Sequence, residues 1–233
     1  HHGVDVGTVA RDQGRAAVIR ALVIVILAAA CGASTPKRIV ISTNAPAEYP
    51  GVIHDPSTLK PNFMVRQTLT LRSKGKYEGK PVEGELEAVL QKDGDNILII
   101  GFGPMSIKAF TLLHKGDMIT FENFVGRELP FSPRNIMVDV HRVFFKRLPT
   151  PADPKYSGVQ RGQLDGETLE EAWQDGELRG SVYTRPGSTF KGAIRIQFGA
   201  GCGPDHCEPE TVMLRNEWFG YTLTIASEGF ERL

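Results

Sequence analysis

The sequence has no net charge, few cysteines and no second long apolar run, and each shortage excludes a class of protein. Its 27 basic and 27 acidic residues cancel without a basic cluster, so nucleic acid is not an expected partner. Beyond the N-terminal region, no apolar stretch reaches the ~20 residues that a membrane-spanning helix needs. The Gly-x-Ser-x-Gly, His-Glu-x-x-His and P-loop signatures are also missing. We therefore expect neither an enzyme nor a cofactor.

The one long apolar run lies near the N-terminus, from Ala21 to Ala30, and three basic residues precede it: Arg11, Arg15 and Arg20. Basic residues, an apolar run and small residues, in that order, are typical of a secretory signal. Residues Leu27–Cys31 resemble a lipobox, in which the cysteine thiol receives a lipid. The pattern predicts a lipoprotein signal peptide over residues 1–30 and an anchor in membrane lipid at Cys31. An ordinary signal peptide followed by a chance cysteine is the alternative.

The rest of the chain divides into a tether and one domain. Residues 31–62 contain several prolines and little apolar periodicity, which predicts a lipidated N-terminus and tether. Residues 63–233 are long enough for one domain with its own core. If Val18 is read from an alternative start codon, residues 1–17 are an upstream artefact.

Two cysteines remain for the domain, Cys202 and Cys207, in a turn-rich stretch between two strand-like runs. In an oxidising compartment, a disulfide that closes this short loop is the simplest interpretation. A metal site that uses Cys202, His206 and Cys207 is the competing one, although three ligands so close together without a second cluster are a weak signal. We expect no metal.

Alternation of apolar and polar residues predicts that the domain is mainly β. From Val65 to Arg72 and from Glu85 to Leu90 it is typical of half-buried antiparallel strands. Further strand-like runs are Asn96–Phe102, Ile107–Leu113, Met118–Phe124, Leu178–Thr184, Ile194–Phe198 and Val212–Ile225, the last with a phase slip at Gly220 that suggests a bulge or a bend. We expect roughly eight or nine strands in up-and-down order.

One segment, 132–146, has helical spacing instead. Ser132 is a plausible N-cap and Pro133 suits the first helical position. An apolar stripe follows, formed by Ile136, Val140, Val143 and Phe144. The expected fold is α+β, with a strongly curved antiparallel half-barrel sheet wrapping this amphipathic helix.

Several stretches together resemble the LolA/LolB group of lipoprotein carriers, and most closely a family of LolB-like lipoproteins of unknown function. They are the lipobox at Cys31 and the segments Leu98–Ser106, Leu129–Pro133 and Glu210–Ile225. The resemblance covers residues 63–230 and implies an open half-barrel that holds acyl chains. Gly32, not aspartate, follows the lipid cysteine, so the resemblance implies the periplasmic face of the outer membrane.

The resemblance also implies the function and its residues. An outer-membrane lipoprotein would bind acyl chains of a lipoprotein or lipid, received from a soluble periplasmic carrier, and pass them to the membrane. The expected cavity residues are Leu69, Leu71, Leu86, Leu90, Ile136, Val140, Phe144, Ile194, Ile196 and Phe198. Phe102 and Met105 would form a loop that inserts into the membrane, with Met105 and Ser106 where the family carries leucine and glycine.

Three alternatives remain open at this stage. The apolar residues also suit a filled core, since sequence does not separate a core from a cavity. Met105 also suits an ordinary position at a strand end. A structural or assembly lipoprotein that binds another envelope protein is the alternative function.

Overall fold

A computed structural model describes residues 36–45, 48–74, 81–125, 132–203 and 206–233. These residues form twelve strands in one antiparallel sheet and one α-helix, α1, at Pro133–Phe144. The strands are β1 (Lys37–Ser42), β2 (Phe63–Lys74), β3 (Pro81–Asp93), β4 (Asn96–Phe102), β5 (Lys108–Lys115), β6 (Met118–Asn123), β7 (Gly158–Leu164), β8 (Glu167–Gln174), β9 (Glu177–Thr184), β10 (Ile194–Phe198), β11 (Thr211–Asn216) and β12 (Tyr221–Arg232). The predicted mainly β class is confirmed.

The sheet consists of two meanders joined side by side. Its strand order is β1-β6-β5-β4-β3-β2-β12-β11-β10-β9-β8-β7. Strands β2 to β6 form the first meander and β7 to β12 the second, and β2 pairs with β12 where they meet. The sheet is open, because in the described part of the chain β1 and β7 each pair with one strand only.

Helix α1 lies in the connection between the two meanders and begins as the sequence predicts. Ser132 is the N-cap, and its hydroxyl accepts from the backbone N–H of Arg134. Pro133 fills the first position, where no N–H is needed. The helix contacts both meanders, since the Phe144 ring lies 5.6 Å from that of Phe63 in β2 and Arg142 pairs with Glu167 in β8.

The folded domain begins before the predicted boundary at Phe63. Pro36–Leu233 form one compact unit, in which β1 pairs with β6. The segment after β1 is packed as well, because Tyr49 and Ile53 belong to the core. The Arg134 guanidinium holds this segment against α1 by donating to the carbonyls of Tyr49 and Gly51, both at 3.0 Å. Prolines here mark irregular backbone that is nevertheless ordered by the helix.

The C-terminal run that the sequence treats as one strand is a hairpin. β11 ends at Asn216 and β12 begins at Tyr221, with a turn between them. Gly220 has φ +72°, a left-handed conformation that favours glycine. The phase slip in the alternation therefore marks a change of chain direction: of the two alternatives at Gly220, the structure shows a tight turn between two strands and not a bulge.

Candidate functional site

An apolar cavity of about 260 Å³ lies between α1 and the strands on either side of the β2–β12 junction. The sheet contributes one wall of the cavity, mainly through β2, β3 and β12, with one residue each from β4 and β5. Most of the residues expected at a cavity line it: Leu69, Leu71, Leu86, Leu90, Ile136, Val140 and Phe144. The remaining lining residues are Gln67, Gly84, Glu85, Ala88, Ile99, Phe110, Asn135, Asp139, Val143, Tyr221, Leu223 and Ile225.

Strand register gives the cavity a closed end and an open end. Gln67 pairs with Ala88, Leu69 with Leu86 and Leu71 with Gly84, so successive pairs form successive layers of the wall. Ala88, together with Leu90, Ile99 and Phe110, is buried, whereas Gly84 is exposed. The mouth therefore lies at the Gly84 end.

Small residues create the closed end. Ala88 pairs with Gly101, and Gly101 pairs with Phe110 on the next strand. A Cβ atom at Gly101 would lie 2.2 Å from Cε1 of Phe110, so only glycine lets that ring take its place in the wall. Larger residues at Ala88 would fill space that is now empty.

The other three expected cavity residues lie elsewhere. Ile194, Ile196 and Phe198 are buried on β10, two strands away from β12. Ile196 pairs with Leu214 of β11, and the Phe198 ring stacks under the guanidinium of Arg147 at 4.9 Å. They belong to the closed core, because alternation indicates which face is buried but not whether space remains above it.

The turn after β4 is exposed and apolar. Gly103–Ile107 closes through a backbone bond from Gly103 N–H to the Ile107 carbonyl at 2.8 Å. Met105 is 88 % exposed at its tip with φ +59°, and Ile107 is exposed beside it. Phe102, at the end of β4, is half-buried and anchors the base of the turn.

A buried polar network, missed by the sequence analysis, lies beside the cavity. The Asp139 carboxylate accepts from the hydroxyls of Tyr49 and Tyr221. Tyr49 in turn accepts from Asn216 Nδ2 and from Arg142 Nη1, each at 2.8 Å. Asp139 and Tyr221 reach the cavity wall, so the network contributes polar groups to a mostly apolar lining.

Arg142 holds this network together. It is 0 % exposed, and its Nη2 donates to Glu167 Oε1 at 2.7 Å and to the Pro50 carbonyl at 2.8 Å. Burial alone would lower its pKa, but the interactions with Tyr49, Glu167 and Asp139 outweigh burial and raise it. Burial raises the pKa of Asp139, and the Arg142 charge opposes that shift. The periodicity of residues along α1 could not predict this network, because Glu167 is distant from the helix in sequence.

A cluster of histidines lies at the C-terminal half of α1. His141 is fully buried, with its ring 5.7 Å from that of His114 and 6.3 Å from that of His54. Burial, followed by the charges of His114, Lys146 and His54, lowers the pKa of His141 to about 2, and Asp165 opposes the shift. Among the residues that the structure describes, none forms a hydrogen bond with its Nε2. His141 is therefore neutral in the folded domain.

This burial predicts a loss of stability in acid. Unfolded His141 takes up a proton below its ordinary pKa of 6.5, whereas the folded form does not until about 2. The stability it contributes is complete above pH 6.5 and is lost as the pH falls from there, by about 2 kcal/mol between about pH 7 and pH 5. Urea unfolding of wild type and His141→Gln at the two pH values measures this loss of stability. We expect a smaller pH difference for the variant, and an unchanged one for His206→Gln, an exposed control. Equal pH differences for wild type and His141→Gln would contradict the assignment.

Cys202 and Cys207 form a disulfide, so neither thiolate is available to a metal. Within the described ranges, no group of three or more His, Cys, Asp or Glu side chains could hold a metal ion. The Arg147 guanidinium lies 3.1 Å from Cys207 Sγ and donates to the Arg142 carbonyl near the end of α1, which links the loop to the helix.

The predicted lipidation site lies outside the described residues. Cys31, Gly32 and the predicted signal peptide at 1–30 precede Pro36, and Leu129–Phe131 also lie outside the described residues. Among the helical residues that the structure describes, none belongs to a helix both long and apolar enough to cross a bilayer.

Residues 64–229 match a family model described as "Protein of unknown function (DUF3261)". The chain belongs to the DUF3261 family. The match confirms the resemblance to a family of unknown function, over almost the same residues as the sequence indicated. No curated protein significantly matches this DUF3261 chain.

Solved structures similar to this DUF3261 chain share little sequence with it. A LolA superfamily protein from Nitrosomonas europaea is 9 % identical, with a TM-score of 0.40 over 76 % of this chain and 89 % of its own. A putative outer membrane lipoprotein-sorting protein domain from Vibrio parahaemolyticus is 9 % identical, with a TM-score of 0.37 over 73 % and 85 %. A DUF1329 family protein from Desulfovibrio piger is 11 % identical, with a TM-score of 0.33 over 76 % and 87 %.

Proposed function

We propose that this protein is a lipid-anchored lipoprotein of the periplasmic face of the outer membrane, which binds an acyl chain of a lipoprotein or lipid and passes it to the membrane. The sheet would curve around α1 as a half-barrel. The apolar cavity between them carries the proposal. Such a carrier needs apolar surface and no catalytic residue.

The volume of the cavity and its mostly apolar lining support an apolar occupant. A dry cavity of about 150 Å³ binds one benzene ring, so this one has room for about ten carbon atoms in proportion. One acyl chain entering through the mouth at Gly84 would fill it.

Anchoring and transfer rest on two other parts of the chain. The segment Ala21–Cys31 has the pattern of a lipid attachment site, and a lipid on Cys31 would hold the domain at the bilayer. The exposed Met105, with Phe102 at the base of its turn, would insert into that bilayer, because an unbranched apolar side chain is suited to it. A soluble periplasmic carrier would supply the cargo.

Binding of a neutral single-chain lipid tests the proposal. Residues 36–233 contain every described strand, the helix and the core, so this domain is used without its anchor. Isothermal titration with 1-decanoyl glycerol should show one site per domain. Ala88→Leu should weaken binding roughly fiftyfold, since it occupies the space of three ligand carbons at ~0.8 kcal/mol each.

Ala226→Leu is the matched control, because Ala226 is an exposed residue of β12 outside the cavity. It should bind like wild type. Urea unfolding of Ala88→Leu adds a second readout: filling a cavity should leave stability unchanged or raise it, whereas overpacking a filled core would lower it by about 1–3 kcal/mol. Absence of binding to wild type would refute the carrier function.

A structural or assembly role is the alternative. The observation that favours it is the edge strand β7, Gly158–Leu164, which in the described chain pairs with β8 alone. An exposed edge can pair with a strand of another protein. If wild type binds no lipid, and Ala88→Leu still binds the same envelope proteins as wild type, the structural role would be favoured.

A further inference from the structure

The cavity mouth lies at the same end of the sheet as the exposed turn after β4. In the register of β3 and β4, Phe102 at the end of β4 pairs with Glu87. The lining residues Leu86 and Gly84 of β3 lie beyond the end of β4, on the side where Gly103–Ile107 form the β4–β5 turn. The turn and the open end of the cavity therefore share one end of the sheet.

The first strand of the folded domain also starts at this end. Lys37, the first residue of β1, pairs with Asn123, which in turn pairs with Phe110 of β5. Phe110 pairs with Gly101, next to the end of β4. The chain therefore enters the sheet at the end that carries the β4–β5 turn and the cavity mouth, which we call the mouth end.

The stretch of chain between the predicted lipidation site and β1 is short. Lys37 follows Cys31 by six positions. Six residues span at most about 20 Å when they are fully extended. A lipid on Cys31 would thus hold Lys37 within about 20 Å of the bilayer, which favours contact with the membrane through the mouth end.

The side chains at the mouth end suit contact with a bilayer. Met105 and Ile107 are 88 % and 56 % exposed. Lys108 follows them, and its Nζ lies 4.0 Å from the centre of the Phe124 ring. A lysine in such a place keeps its methylenes on apolar surface while its ammonium group reaches the lipid headgroups. Neighbouring exposed apolar side chains of this kind mark an interaction surface.

The opposite end of the same strands is charged. Asp95 lies in the turn between β3 and β4, Asp117 lies in the turn between β5 and β6, and both are exposed. Lys115 pairs with Asp95 there at 3.0 Å. Moving such charges towards hydrocarbon is costly, so this end is the less favourable one for contact with a bilayer.

We propose that the mouth end of the sheet faces the phospholipid bilayer, with Ile107 entering it beside Met105, so that the cavity opens directly onto the membrane. An acyl chain would then pass between cavity and bilayer without exposing its methylenes to water. This inference rests on the proposed function, since it concerns how the anchored domain presents the same cavity to the membrane.

Single dye labels on the lipidated full chain, reconstituted in phosphatidylcholine vesicles, test this orientation. Cys202 and Cys207 form a disulfide and Cys31 would carry the lipid, so an introduced cysteine supplies a free thiol for the dye. Nitroxide groups on the lipid acyl chains quench a dye that lies at the bilayer. The strength of quenching therefore reports which end of the sheet faces the membrane.

Three labelling positions compare the two ends. Met105→Cys places the dye on the turn, and Gly84→Cys places it at the mouth, where a Cβ meets no atom within 4 Å. Met118→Cys is the control, because Met118 is an exposed methionine at the start of β6, at the opposite end. We expect about threefold stronger quenching at the first two positions than at the third, which lies roughly 17 Å further along the strands.

Flotation of the vesicles measures anchoring separately. If the chain floats and Met118→Cys is quenched as strongly as the other two positions, or more strongly, the orientation is overturned while the anchor remains. If the chain does not float, the anchoring and this inference both fail. Titration of the 36–233 domain with 1-decanoyl glycerol decides the ligand of the cavity independently of either result.

Ile107→Glu tests the bilayer contact itself. In the chain labelled at Gly84→Cys, a carboxylate at position 107 should weaken quenching about threefold, because a charge resists entry into hydrocarbon. Met118→Glu is the matched control and should leave quenching unchanged. Ile107 does not line the cavity, so Ile107→Glu should bind 1-decanoyl glycerol like wild type, which verifies its fold. Unchanged quenching in Ile107→Glu would overturn the contact assigned to Ile107.

Discussion

Replacing Arg142 with methionine is expected to destabilise the domain by about 3–5 kcal/mol, which approaches the whole stability of many domains. The guanidinium is 0 % exposed and donates to Glu167, Asp139, Tyr49 and the Pro50 carbonyl. Methionine has similar length and packs well, so packing loss is small. The effect comes from the carboxylates, because Glu167 and Asp139 lose their shared partner in a buried setting.

Urea unfolding followed by tryptophan fluorescence measures this loss. Arg72→Met is the control, since the Arg72–Glu83 pair is largely exposed and should contribute about 1 kcal/mol or less. The double variant Arg142→Met, Glu167→Gln should recover part of the stability, because it removes one of the stranded charges. A loss below about 1 kcal/mol for Arg142→Met would show that the network is not an important part of the core.

Local patterns predicted the helix and most strands because their signals lie within a few residues. Ser132 and Pro133 fix the start of α1 through one side-chain bond and one missing N–H. By contrast, β1, β7 and β8 were not predicted. In β7 the alternation involves polar residues at an edge, and in β8 the inward positions include Glu167 and Glu171, which are buried. Carboxylates on an inner face hide the apolar alternation that a strand normally shows.

The candidate site was predictable only in part. Alternation placed Leu69, Leu86 and others on the inner face, where the structure finds them at the cavity. It placed Ile196 there too, although that side chain packs in the closed core. What separates the two sets is the space above Ala88, beside the Phe110 ring that packs over Gly101, and this arrangement depends on strand pairing. Long-range partners such as Arg142 and Glu167 are fixed by the same tertiary packing.

The size of the cavity predicts a limit on chain length. Each methylene moved from water into the cavity strengthens binding by ~0.8 kcal/mol, about fourfold in the dissociation constant. From six to ten carbons, the affinity for 1-acyl glycerols should therefore rise by about 3 kcal/mol, or roughly 200-fold. Beyond about ten carbons the cavity of about 260 Å³ is full, so further methylenes stay in water and the gain should stop.

Titrating the 36–233 domain with 1-acyl glycerols of six to sixteen carbons measures this limit. Ala88→Leu should move the plateau to a shorter chain by about three carbons, because leucine occupies the closed end of the same space. Ala226→Leu should leave it where it is, since Ala226 lies outside the cavity. A steady gain up to sixteen carbons would mean that the chain extends along a surface larger than this cavity. A plateau near ten that shortens in Ala88→Leu would locate the end of the chain beside Ala88, Ile99 and Phe110, where the wall is closed.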